Sequence, residues 1–433
     1  MNALVIGLGV SGQSAAELLM HQGYKVIAVD KNSEQLKTSE PVHSLAMRGL
    51  TILSDQISFP ETALNLVVLS PGISDQHPLC RQARKQGVEV IGEIELACRA
   101  LRNPMLGITG TNGKTTVTLL VAHILNELGI AAHAMGNSGV PLSRAPLSIS
   151  SEEIISLELS SYQLETLNTT CLDAAIILNI TPDHLDRYAD MRAYVAAKMR
   201  IFDRVKPGGE RWIHENTARE FPFSGAKIYG NSAKCDLRRS GSQVIYKEKV
   251  AFLLPKMYEE GFQHDVENIM AAYALCHRFC ATGDQFLHAL ESFKKPPHRL
   301  EYVATIAGVE YYDDSKGTNI DAVVRAVESI KRPIVLIAGG VDKQTGYAPW
   351  ISTFKDRVKG ICVIGEAANN INKELSEHYI VKQYSCLKSA VEGAVEMAEQ
   401  GDAVLLSPGC ASTDMFKDYA DRGNQFKAIV KAL

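Results

Sequence analysis

The sequence predicts an α/β protein of three domains, each built on a largely parallel sheet. Three observations support this prediction. The chain has 433 residues, a length typical of roughly two to four domains. Short apolar runs alternate with helical segments along the chain, a pattern typical of parallel sheets covered on both faces. Hydrophobic residues make up 46% of the chain, enough for several cores.

The three domains are expected to follow one another along the chain. A Rossmann-like domain is predicted for residues 1–92, and a P-loop-type ATPase domain with a mostly parallel sheet is predicted for residues 93–295. Residues 296–433 predict a second Rossmann-like domain, which follows a hinge of paired lysines and prolines at 294–297. The clearest predicted strands are 3–7, 25–29 and 66–69, then 154–159 and 174–178, then 333–338, 360–364 and 402–406.

Composition excludes several classes of function. A net charge of −4 gives no reason to expect a nucleic-acid or membrane partner. The chain has no apolar stretch of 18 residues, and its start runs into a strand rather than a signal peptide. The nine cysteines form no C-x-x-C pair and predict reduced thiols. A cytoplasmic monomer is therefore expected.

A glycine-rich loop at residues 107–116 is the strongest functional signal. It stands between an apolar run and a helical run, so its backbone N–H groups and the helix N-terminus can bind a polyphosphate. Lys114 is expected to reach the β- and γ-phosphates, and Thr115 to ligate Mg²⁺. The spacing is a variant of the common P-loop, because Ile108 occupies the position of its first glycine. The predicted ATP-binding positions are Gly110, Thr111, Asn112, Gly113, Lys114, Thr115 and Thr116.

A second glycine-rich turn follows the first predicted strand. Gly7-Leu-Gly-Val-Ser-Gly12 opens a helix, and Asp30 ends the next strand about 20 residues later, as in dinucleotide-binding folds. Such a loop can serve any nucleotide diphosphate, including UDP. From this signal alone a nicotinamide cofactor and a UDP-linked ligand both remain open.

Polar residues at the ends of two further strands predict a metal-dependent centre. Glu158 ends one apolar strand and His184 follows another, where functional groups of parallel sheets gather. A carboxylate and an imidazole in this position can hold a divalent metal.

Lys198 is expected on the inward face of a helix that starts near residue 190. The predicted stripe comprises Met191, Tyr194, Lys198, Phe202 and Val205. An inward lysine can extend to the surface, pair with an acid, or lose its proton and take up CO₂ as a carbamate. The first two alternatives are the more common in proteins.

The order of these motifs resembles that of the Mur ligases, whose ATP loop is also similar to that of folylpolyglutamate synthetases. The shared motifs are G-T-N-G-K-T-T, L-E-L-S-S-Y-Q-L, D-H-L-D-R, Y-x-x-x-K, H-R-L-E, D-D-S-K-G-T-N and S-P-G-C-A-S, between residues 107 and 412. G-L-G-x-S-G and S-P-G-I extend the resemblance to the N-terminus. The short first domain and E-L-S-S-x-Q-L resemble the D-glutamate-adding members most closely.

The resemblance implies an ATP-dependent amide ligase of peptidoglycan precursor synthesis. The carboxylate of UDP-N-acetylmuramoyl-L-alanine would be phosphorylated by ATP, and the amine of D-glutamate would displace phosphate from the acyl phosphate. The implied catalytic residues are Lys114, Glu158, His184 and Lys198. The implied metal sites are two Mg²⁺ ions, one on Thr115 and Glu158 and the other on His184 and a CO₂-derived carbamate of Lys198.

The resemblance also implies binding residues. For the UDP-linked substrate these are Val10, Ser11, Asp30, Lys31, Ser70, Asn137 and Gln163. For D-glutamate they are Lys316, Thr318, Ser412 and Tyr419, and for ATP, besides the loop, they are Asn268, Arg299, Asp314 and Lys343. Three departures stand out: Asp265 replaces a family asparagine at adenine, Tyr419 replaces a phenylalanine, and the middle of G-G-x-x-K before Lys343 varies.

Three other functions remain as alternatives. Another amino-acid ligase of the superfamily would differ in acceptor or incoming amino acid. A nicotinamide-dependent oxidoreductase would rest on residues 7–12 and Asp30. A non-catalytic nucleotide-binding subunit conflicts with the joint presence of Lys114, Glu158, His184 and Lys198.

Overall fold

The computed structural model describes residues 1–55, 59–60, 62–185, 187–259, 263–280, 282–343 and 346–433. The chain divides into two compact units. The first comprises Met1–Asn179, Val195–Leu254 and Asn268–Phe293, and the second comprises Ile180–Tyr194, Pro255–Glu267 and Lys294–Leu433. Two sheets lie in the first unit and a third lies in the second, which confirms the predicted α/β fold with three mostly parallel sheets.

The first sheet is parallel throughout its described strands. Its strands are β1 Asn2–Ile6, β2 Lys25–Asp30, β3 Thr51–Ser54, β4 Leu66–Leu69 and β5 Glu89–Gly92. Its helices are α1 Val10–His21, α2 Ser33–Lys37, α3 Glu40–Met47, α4 Pro78–Lys85 and α5 Glu93–Ala100. The order β3-β2-β1-β4-β5 places β1 at the centre. Leu4 and Val5 point into separate apolar clusters, so both faces are covered, as predicted.

The second sheet has nine described strands and carries the long glycine-rich loop. Its strands are β6 Met105–Thr109, β7 Ala132–Gly136, β8 Ile154–Glu158, β9 Leu172–Ile177, β10 Val205–His214, β11 Lys227–Gly230, β12 Leu237–Ser240, β13 Gln243–Tyr246 and β14 Lys249–Leu253. The helices of this stretch of chain are α6 Lys114–Glu127, α7 Ala145–Ser148, α8 Ser161–Thr166, α9 Met191–Met199, α10 Glu215–Glu220, α11 Lys256–Glu259, α12 Gln263–Cys276 and α13 Gly283–Glu291. The order is β14-β13-β12-β11-β10-β9-β6-β8-β7, and β6 therefore lies between β8 and β9.

One edge of this mostly parallel sheet is antiparallel. β13 pairs antiparallel with β12 and with β14. The turn between β13 and β14 uses Lys247 and Glu248 at φ +50° and +61°. Hairpin turns of this kind are normally marked by Asn-Gly or Asp-Gly. Because two charged residues stand there instead, no turn signal marked the hairpin in the sequence.

The helix carrying Lys198 is shorter than predicted. α9 ends at Met199, a 3₁₀ turn covers Arg200–Arg204, and β10 begins at Val205. Tyr194, Lys198, Phe202 and Val205 are all buried, as the predicted stripe requires, although Phe202 and Val205 lie outside the helix.

The third sheet lies in the second unit. Its strands are β15 Glu301–Ile306, β16 Val309–Asp313, β17 Ile334–Gly339, β18 Val358–Ile364, β19 Ile380–Gln383 and β20 Ala403–Leu406. Its helices are α14 Ile320–Ser329, α15 Ala348–Phe354, α16 Ala368–Leu375, α17 Leu387–Met397 and α18 Tyr419–Lys431. The order is β15-β16-β20-β17-β18-β19, with only β15 antiparallel among the described strands. Leu336 and Ile337 of β17 point into separate clusters on the two faces.

Each of the eight predicted strands overlaps a strand of the structure. Among the helices that the structure describes, none has the length and apolar character needed to cross a membrane.

Candidate active site

The glycine-rich loop between β6 and α6 is shaped by close packing. Gly113 has φ +87°, a left-handed conformation that glycine adopts without strain, and α6 begins at the next residue, Lys114. A Cβ on Gly113 would lie 2.6 Å from Oδ1 of Asn268. Glycine is therefore required here, and the first turn of α6 follows directly. The N–H groups of such a turn have no partner within the helix and can bind anions.

Asn179, which the sequence analysis left without a role, fixes the backbone of this loop. Its carbonyl oxygen accepts a hydrogen bond from the N–H of Thr111 at 2.8 Å. Its Oδ1 accepts from the N–H of Asn112 at 2.8 Å, and its Nδ2 donates to the Asn112 carbonyl at 3.0 Å. These two loop amides therefore face the protein, whereas the sequence predicted that successive amides would face phosphate. Asn179 stands two residues after the end of β9, and nothing in the sequence indicates which backbone groups it bonds.

Lys114 and Lys198 donate to the same carbonyl oxygen, that of Gly110. The distances are 2.9 Å from Nζ of Lys114 and 2.8 Å from Nζ of Lys198. Lys114 also donates to the carbonyl of Thr111 at 2.9 Å. Lys198 is only 2% exposed, so the alternative in which its ammonium reaches the surface is wrong. The fold thus brings both predicted catalytic lysines to the loop.

Glu158 ends β8, directly beside β6. Ile108 of β6 pairs in register with Glu158, and the side chain of Glu158 is buried. Asn137, which follows β7, donates from Nδ2 to Oε1 of Glu158 at 2.9 Å and from its backbone N–H to the Glu158 carbonyl at 3.0 Å. Oε2 of Glu158 is buried and has no hydrogen-bond partner in the described part of the chain. A buried carboxylate oxygen of this kind is suited to a cation.

Gln163, predicted to contact substrate, has a local structural function. It forms a capping box with Ser160 at the start of α8: Ser160 N–H donates to Oε1 of Gln163 at 3.0 Å, and Gln163 N–H donates to Oγ of Ser160 at 3.3 Å. The side chain is buried and its orientation is set by this cap. Its contact with substrate stays a prediction.

His184 belongs to the second unit and has an unusual backbone. Its φ is +57°, which is uncommon for a residue with a side chain. Its N–H donates to Oδ1 of Asp183 at 2.9 Å, and its ring lies 6.2 Å from the ring of Tyr194. Asp186 of the same motif lies outside the described residues.

The N-terminal loop is closed by hydrogen bonds between its backbone and predicted site residues. Oγ of Ser70 donates to the Gly7 carbonyl at 2.8 Å. Oδ2 of Asp30 accepts from the N–H of Leu8 at 2.8 Å, and Oδ1 accepts from the N–H of Asn32 at 2.8 Å. Asp30 therefore braces the loop, in addition to any contact with a ligand.

The remaining predicted residues of this loop lie at its surface. Val10 and Lys31 are exposed and Ser11 is half-buried, so all three can be reached by a ligand.

The loops after β16 and β20 assemble the predicted amino-acid and ribose contacts. Asp314 is buried and accepts from Oγ of Ser407 at 2.7 Å and from the N–H of Leu300 at 3.2 Å. Burial raises the pKa of Asp314 from 3.8 to about 7, although the Ser407 hydrogen bond and the Arg299 charge act in the opposite direction. Nζ of Lys316 lies 3.8 Å from the centre of the Tyr419 ring, a cation–π contact.

Thr318 and Ser412 are also present in these loops. Thr318 is half-buried in the turn before α14, and Ser412 is buried. The N–H of Gly409 donates to the Gly317 carbonyl at 2.8 Å, which links the two loops that carry them.

Arg422 joins three of these loops and was missed by the sequence analysis. It is fully buried on α18 and donates to Oγ and the carbonyl of Ser315 at 3.0 and 2.9 Å. It also donates to the carbonyls of Cys410 at 3.2 Å and Gly339 at 3.4 Å. Desolvation lowers the pKa of the Arg422 guanidinium to about 10. A single side chain therefore sets the spacing of the loops after β16, β17 and β20.

The residues at which the chain departs from the family pattern form ion pairs, a cation–π contact and hydrogen bonds in the structure. Asp265 forms an ion pair with Lys295. Tyr419 supplies the ring under Lys316 and accepts, through its carbonyl, a hydrogen bond from Oγ of Ser315 at 2.8 Å. Lys343, predicted to bind ATP, forms an ion pair with Asp183 at 3.0 Å.

A glycine-rich loop that opens a helix, with a buried carboxylate on the neighbouring strand, is an arrangement suited to a phosphate group and a divalent metal. Three family models match the chain: the Mur ligase MurD-like N-terminal domain at residues 1–92, the Mur ligase middle domain at 108–276 and the Mur ligase glutamate ligase domain at 298–410. The chain belongs to the Mur ligase family.

Individual relatives agree with this assignment. The chain is 48% identical to the UDP-N-acetylmuramoylalanine–D-glutamate ligase of Protochlamydia amoebophila, over 100% of this chain and 98% of the relative. It is 37% identical to the ligase of the same name from Caldanaerobacter subterraneus, over 99% of this chain and 98% of the relative. The fold is similar to that of the UDP-N-acetylmuramate-alanine ligase MurC of Thermotoga maritima, with a TM-score of 0.63, 18% identity and coverage of 100% and 99% of the two chains.

Proposed function

We propose that this chain joins D-glutamate to UDP-N-acetylmuramoyl-L-alanine in an ATP-dependent reaction. The observation that supports this proposal most is that Lys114 and Lys198 both donate to the Gly110 carbonyl of the loop between β6 and α6. The buried Glu158 lies on the strand next to β6. The relatives named above carry the same activity in their names and match the chain over its whole length. A nicotinamide-dependent oxidoreductase and a non-catalytic subunit both conflict with membership of this ligase family.

The chemistry of the first step is phosphoryl transfer from ATP to the alanyl carboxylate. Such a transfer needs positioning and charge neutralisation more than covalent participation by the protein. In this proposal Lys114 neutralises the β- and γ-phosphates and the amides at the start of α6 hold them; the hydrogen bonds of Lys114 Nζ to the Gly110 and Thr111 carbonyls support it by keeping the ammonium at the loop. The amine of D-glutamate then attacks the acyl phosphate, and phosphate leaves.

Mg²⁺ fits the residues that would hold it. The buried Oε2 of Glu158 offers a carboxylate oxygen without a hydrogen-bond partner in the described chain, and Mg²⁺ prefers oxygen ligands such as this carboxylate and the hydroxyl of Thr115. When bound there, Mg²⁺ would neutralise charge on the phosphates. His184 and a carbamate on Lys198 are the proposed ligands of the second Mg²⁺, and this assignment follows from the family resemblance.

A carbamate forms on an uncharged amine, and a site that disfavours charge favours that form of the amine. Lys198 is buried, and burial disfavours the charged form of an amine. We expect ¹³C-labelled CO₂ to give a carbamate signal in the NMR spectrum of the protein and none in Lys198→Ala. Lys198→Ala should lose most activity, bicarbonate should not restore it, and a short carboxylate such as acetate should restore part. Near-normal activity of Lys198→Ala would remove the role assigned to this lysine.

The three predicted domains are assigned to UDP-substrate binding (1–92), to ATP binding and catalysis (93–295) and to amino-acid binding (296–433), and the proposed binding residues come from more than one domain for each substrate. The UDP-linked substrate is assigned to Val10, Ser11, Asp30, Lys31, Ser70, Asn137 and Gln163. ATP is assigned to the loop with Asn268, Arg299, Asp314 and Lys343, and D-glutamate to Lys316, Thr318, Ser412 and Tyr419. We place the reaction in the cytoplasm, as a step of peptidoglycan precursor synthesis that supports cell shape and division, with the enzyme acting as a monomer.

The test is phosphate release with each component omitted in turn. Full release should require ATP, Mg²⁺, UDP-N-acetylmuramoyl-L-alanine and D-glutamate together. Release that needs the UDP-sugar but prefers another amino acid would keep the ligase chemistry and overturn the proposed amino acid. No release under any combination would overturn the proposed reaction.

A further inference from the structure

Asp183 is the centre of a buried polar cluster in the second unit. The Asp183 cluster consists of Asp183, His184, Asn319 and Lys343. Asp183 is 5% exposed. Its Oδ1 accepts from the N–H of His184 at 2.9 Å and from Nζ of Lys343 at 3.0 Å, and its Oδ2 accepts from Nδ2 of Asn319 at 3.3 Å. Three segments that are distant in sequence therefore meet on one carboxylate.

Asn319 is fixed in the orientation that faces Asp183. Its Oδ1 accepts from the N–H of Ala322 at 2.8 Å and so caps the N-terminus of α14. Because the amide oxygen is used by the cap, the amide nitrogen must point the other way. That nitrogen faces Asp183, and the cluster is thereby tied to the start of a helix.

Lys343 projects from a backbone that is also held in place. The N–H of Val341 donates to the carbonyl of Ala411 at 2.9 Å, which joins this loop to the loop of Ser412. Gly340, just before it, has φ +134°, and a Cβ there would lie 2.1 Å from the Ala411 carbonyl. The loop of Lys343 is therefore held against the loop of Ser412 by this bridge.

His184 is the third segment of the cluster and the most strained. Backbone strain in a residue with a side chain persists only where the surroundings hold it. The hydrogen bond from the N–H of His184 to Asp183 is one such restraint. Any shift of the Asp183 carboxylate would therefore disturb both His184 and Lys343.

We infer that Asp183 is a positioning residue for the step that uses the incoming amino acid. Its carboxylate links the backbone of His184 to Lys343 and to the start of α14, and through them to the loops of Thr318 and Ser412. An ammonium has three N–H donors, so Lys343 can donate one hydrogen bond to Asp183 and use the others to hold an anion. The inference rests on the proposed function, because it is that proposal which assigns Thr318 and Ser412 to D-glutamate.

Asp183→Asn is the variant that tests this inference. The amide keeps one oxygen for the N–H of His184, but it removes the charge that faces Lys343 and turns an NH₂ group toward the NH₂ of Asn319. Loss of a charge-assisted hydrogen bond should lower kcat/KM for D-glutamate by about tenfold to a hundredfold. The kcat/KM for ATP should fall as well, because Lys343 is assigned to ATP. The KM for UDP-N-acetylmuramoyl-L-alanine should change by less than about twofold, because that substrate is assigned to other residues.

The double variant Asp183→Asn with Asn319→Asp should restore the hydrogen bond between positions 183 and 319, with donor and acceptor exchanged. The aspartate introduced at position 319 can still cap α14, since Asp is as good an N-cap as Asn, and its second oxygen can accept from the amide introduced at position 183. The carboxylate stays in the cluster, so the double variant should recover a large part of the lost kcat/KM. Glu399→Gln is the matched control, since Glu399 is exposed in the segment after α17 and forms an ion pair with Lys359 of β18. It should retain full activity.

The outcomes separate this inference from the proposed function. Wild-type protein that releases no phosphate with D-glutamate would overturn the proposed function and the inference with it. Active wild type together with Asp183→Asn kinetics within about threefold of it would overturn the inference alone. A loss for UDP-N-acetylmuramoyl-L-alanine as large as that for D-glutamate, together with a lower melting temperature, would also overturn it. An equal loss in Glu399→Gln would do the same. Selective loss with rescue by the double variant would support it.

Discussion

Asn137 and Glu158 share a hydrogen bond of 2.9 Å that orients the acid beside the glycine-rich loop. Asn137 uses Nδ2 for Oε1 and its backbone N–H for the Glu158 carbonyl, so both ends of Glu158 are held. The other carboxylate oxygen, Oε2, is buried with no hydrogen-bond partner in the described part of the chain. Leaving a buried acceptor unmatched costs about 1–3 kcal/mol. Such a cost is tolerated where the atom has a ligand to bind, and Mg²⁺ is the ligand we expect here.

Glu158→Gln should remove Mg²⁺ binding without changing the stability of the metal-free protein. The amide is nearly isosteric, but it has no charge to hold Mg²⁺, so kcat should fall by about a hundredfold or more. The melting temperature without Mg²⁺ should stay close to that of the wild type. The rise in melting temperature caused by Mg²⁺ with a non-hydrolysable ATP analogue should disappear.

Glu153→Gln is the control for this measurement. Oε2 of Glu153 lies 2.5 Å from Nε2 of His133, and Glu153 precedes β8, at the end of that strand opposite to Glu158. This variant should keep both activity and the Mg²⁺-dependent rise. Full activity of Glu158→Gln would contradict the metal role of Glu158.

Gly9, at the N-terminus of α1, and Gly12, in its first turn, should respond differently to the same substitution. A Cβ on Gly12 would lie 1.8 Å from the Gly7 carbonyl and 2.8 Å from Oγ of Ser70, whereas a Cβ on Gly9 would meet no atom within 4 Å. Gly12→Ala should therefore lower the free energy of unfolding by about 1–3 kcal/mol, the usual cost of overpacking.

Gly9→Ala serves as the paired measurement. It should unfold like the wild type, and any loss it shows should be confined to binding of the UDP-linked substrate. Denaturation curves and the KM for that substrate separate the two effects. Equal stability of Gly12→Ala and Gly9→Ala would contradict the packing argument.

The sequence predicted the parts of the fold and site that depend on local patterns. Apolar runs marked the central strands, and the glycine-rich turns marked the two loops that open α1 and α6. Asn179 and Arg422 were missed because both act on backbone atoms far away in sequence. Asn179 bonds a residue 67 positions earlier and Arg422 bonds one 107 positions earlier. A polar side chain that bonds a distant carbonyl or N–H leaves no periodic pattern, so only the folded chain reveals it.

Arg422→Met should destabilise the second unit and loosen its loops. The variant would leave the carbonyls of Ser315, Cys410 and Gly339 without this donor in a buried site. The free energy of unfolding should fall by about 3 kcal/mol or more. The KM for D-glutamate should rise, because Ser315 and Cys410 stand close in sequence to Lys316 and Ser412.

Lys431→Met is the control for this substitution. Lys431 is exposed at the end of the same helix, α18, so the change should have little effect on unfolding or KM. An Arg422→Met protein that melts within about one degree of the wild type would rule out the bracing role, given that about 1 kcal/mol shifts the midpoint by a few degrees.

Asp314 should make the protein less stable as the pH rises from about 4 to about 7. Burial raises its pKa from 3.8 to about 7 in the folded state. Between these values the folded state keeps a proton that the unfolded state releases, so the unfolded state binds fewer protons. Stability therefore falls with rising pH, by up to about 1.4 kcal/mol per pH unit from this group, and levels off above the folded pKa.

Asp314→Asn removes this titration while keeping an oxygen for the N–H of Leu300 and a partner for Ser407. Melting temperatures of the two proteins, measured between about pH 4 and pH 8, isolate the contribution because all other titrating groups are shared. The variant should gain stability relative to the wild type as the pH rises through this window, and the gain should stop growing above about pH 7. A difference that stays constant with pH would show that Asp314 titrates at its ordinary pKa, and a difference of the opposite sign would mean that the folded state stabilises its charged form.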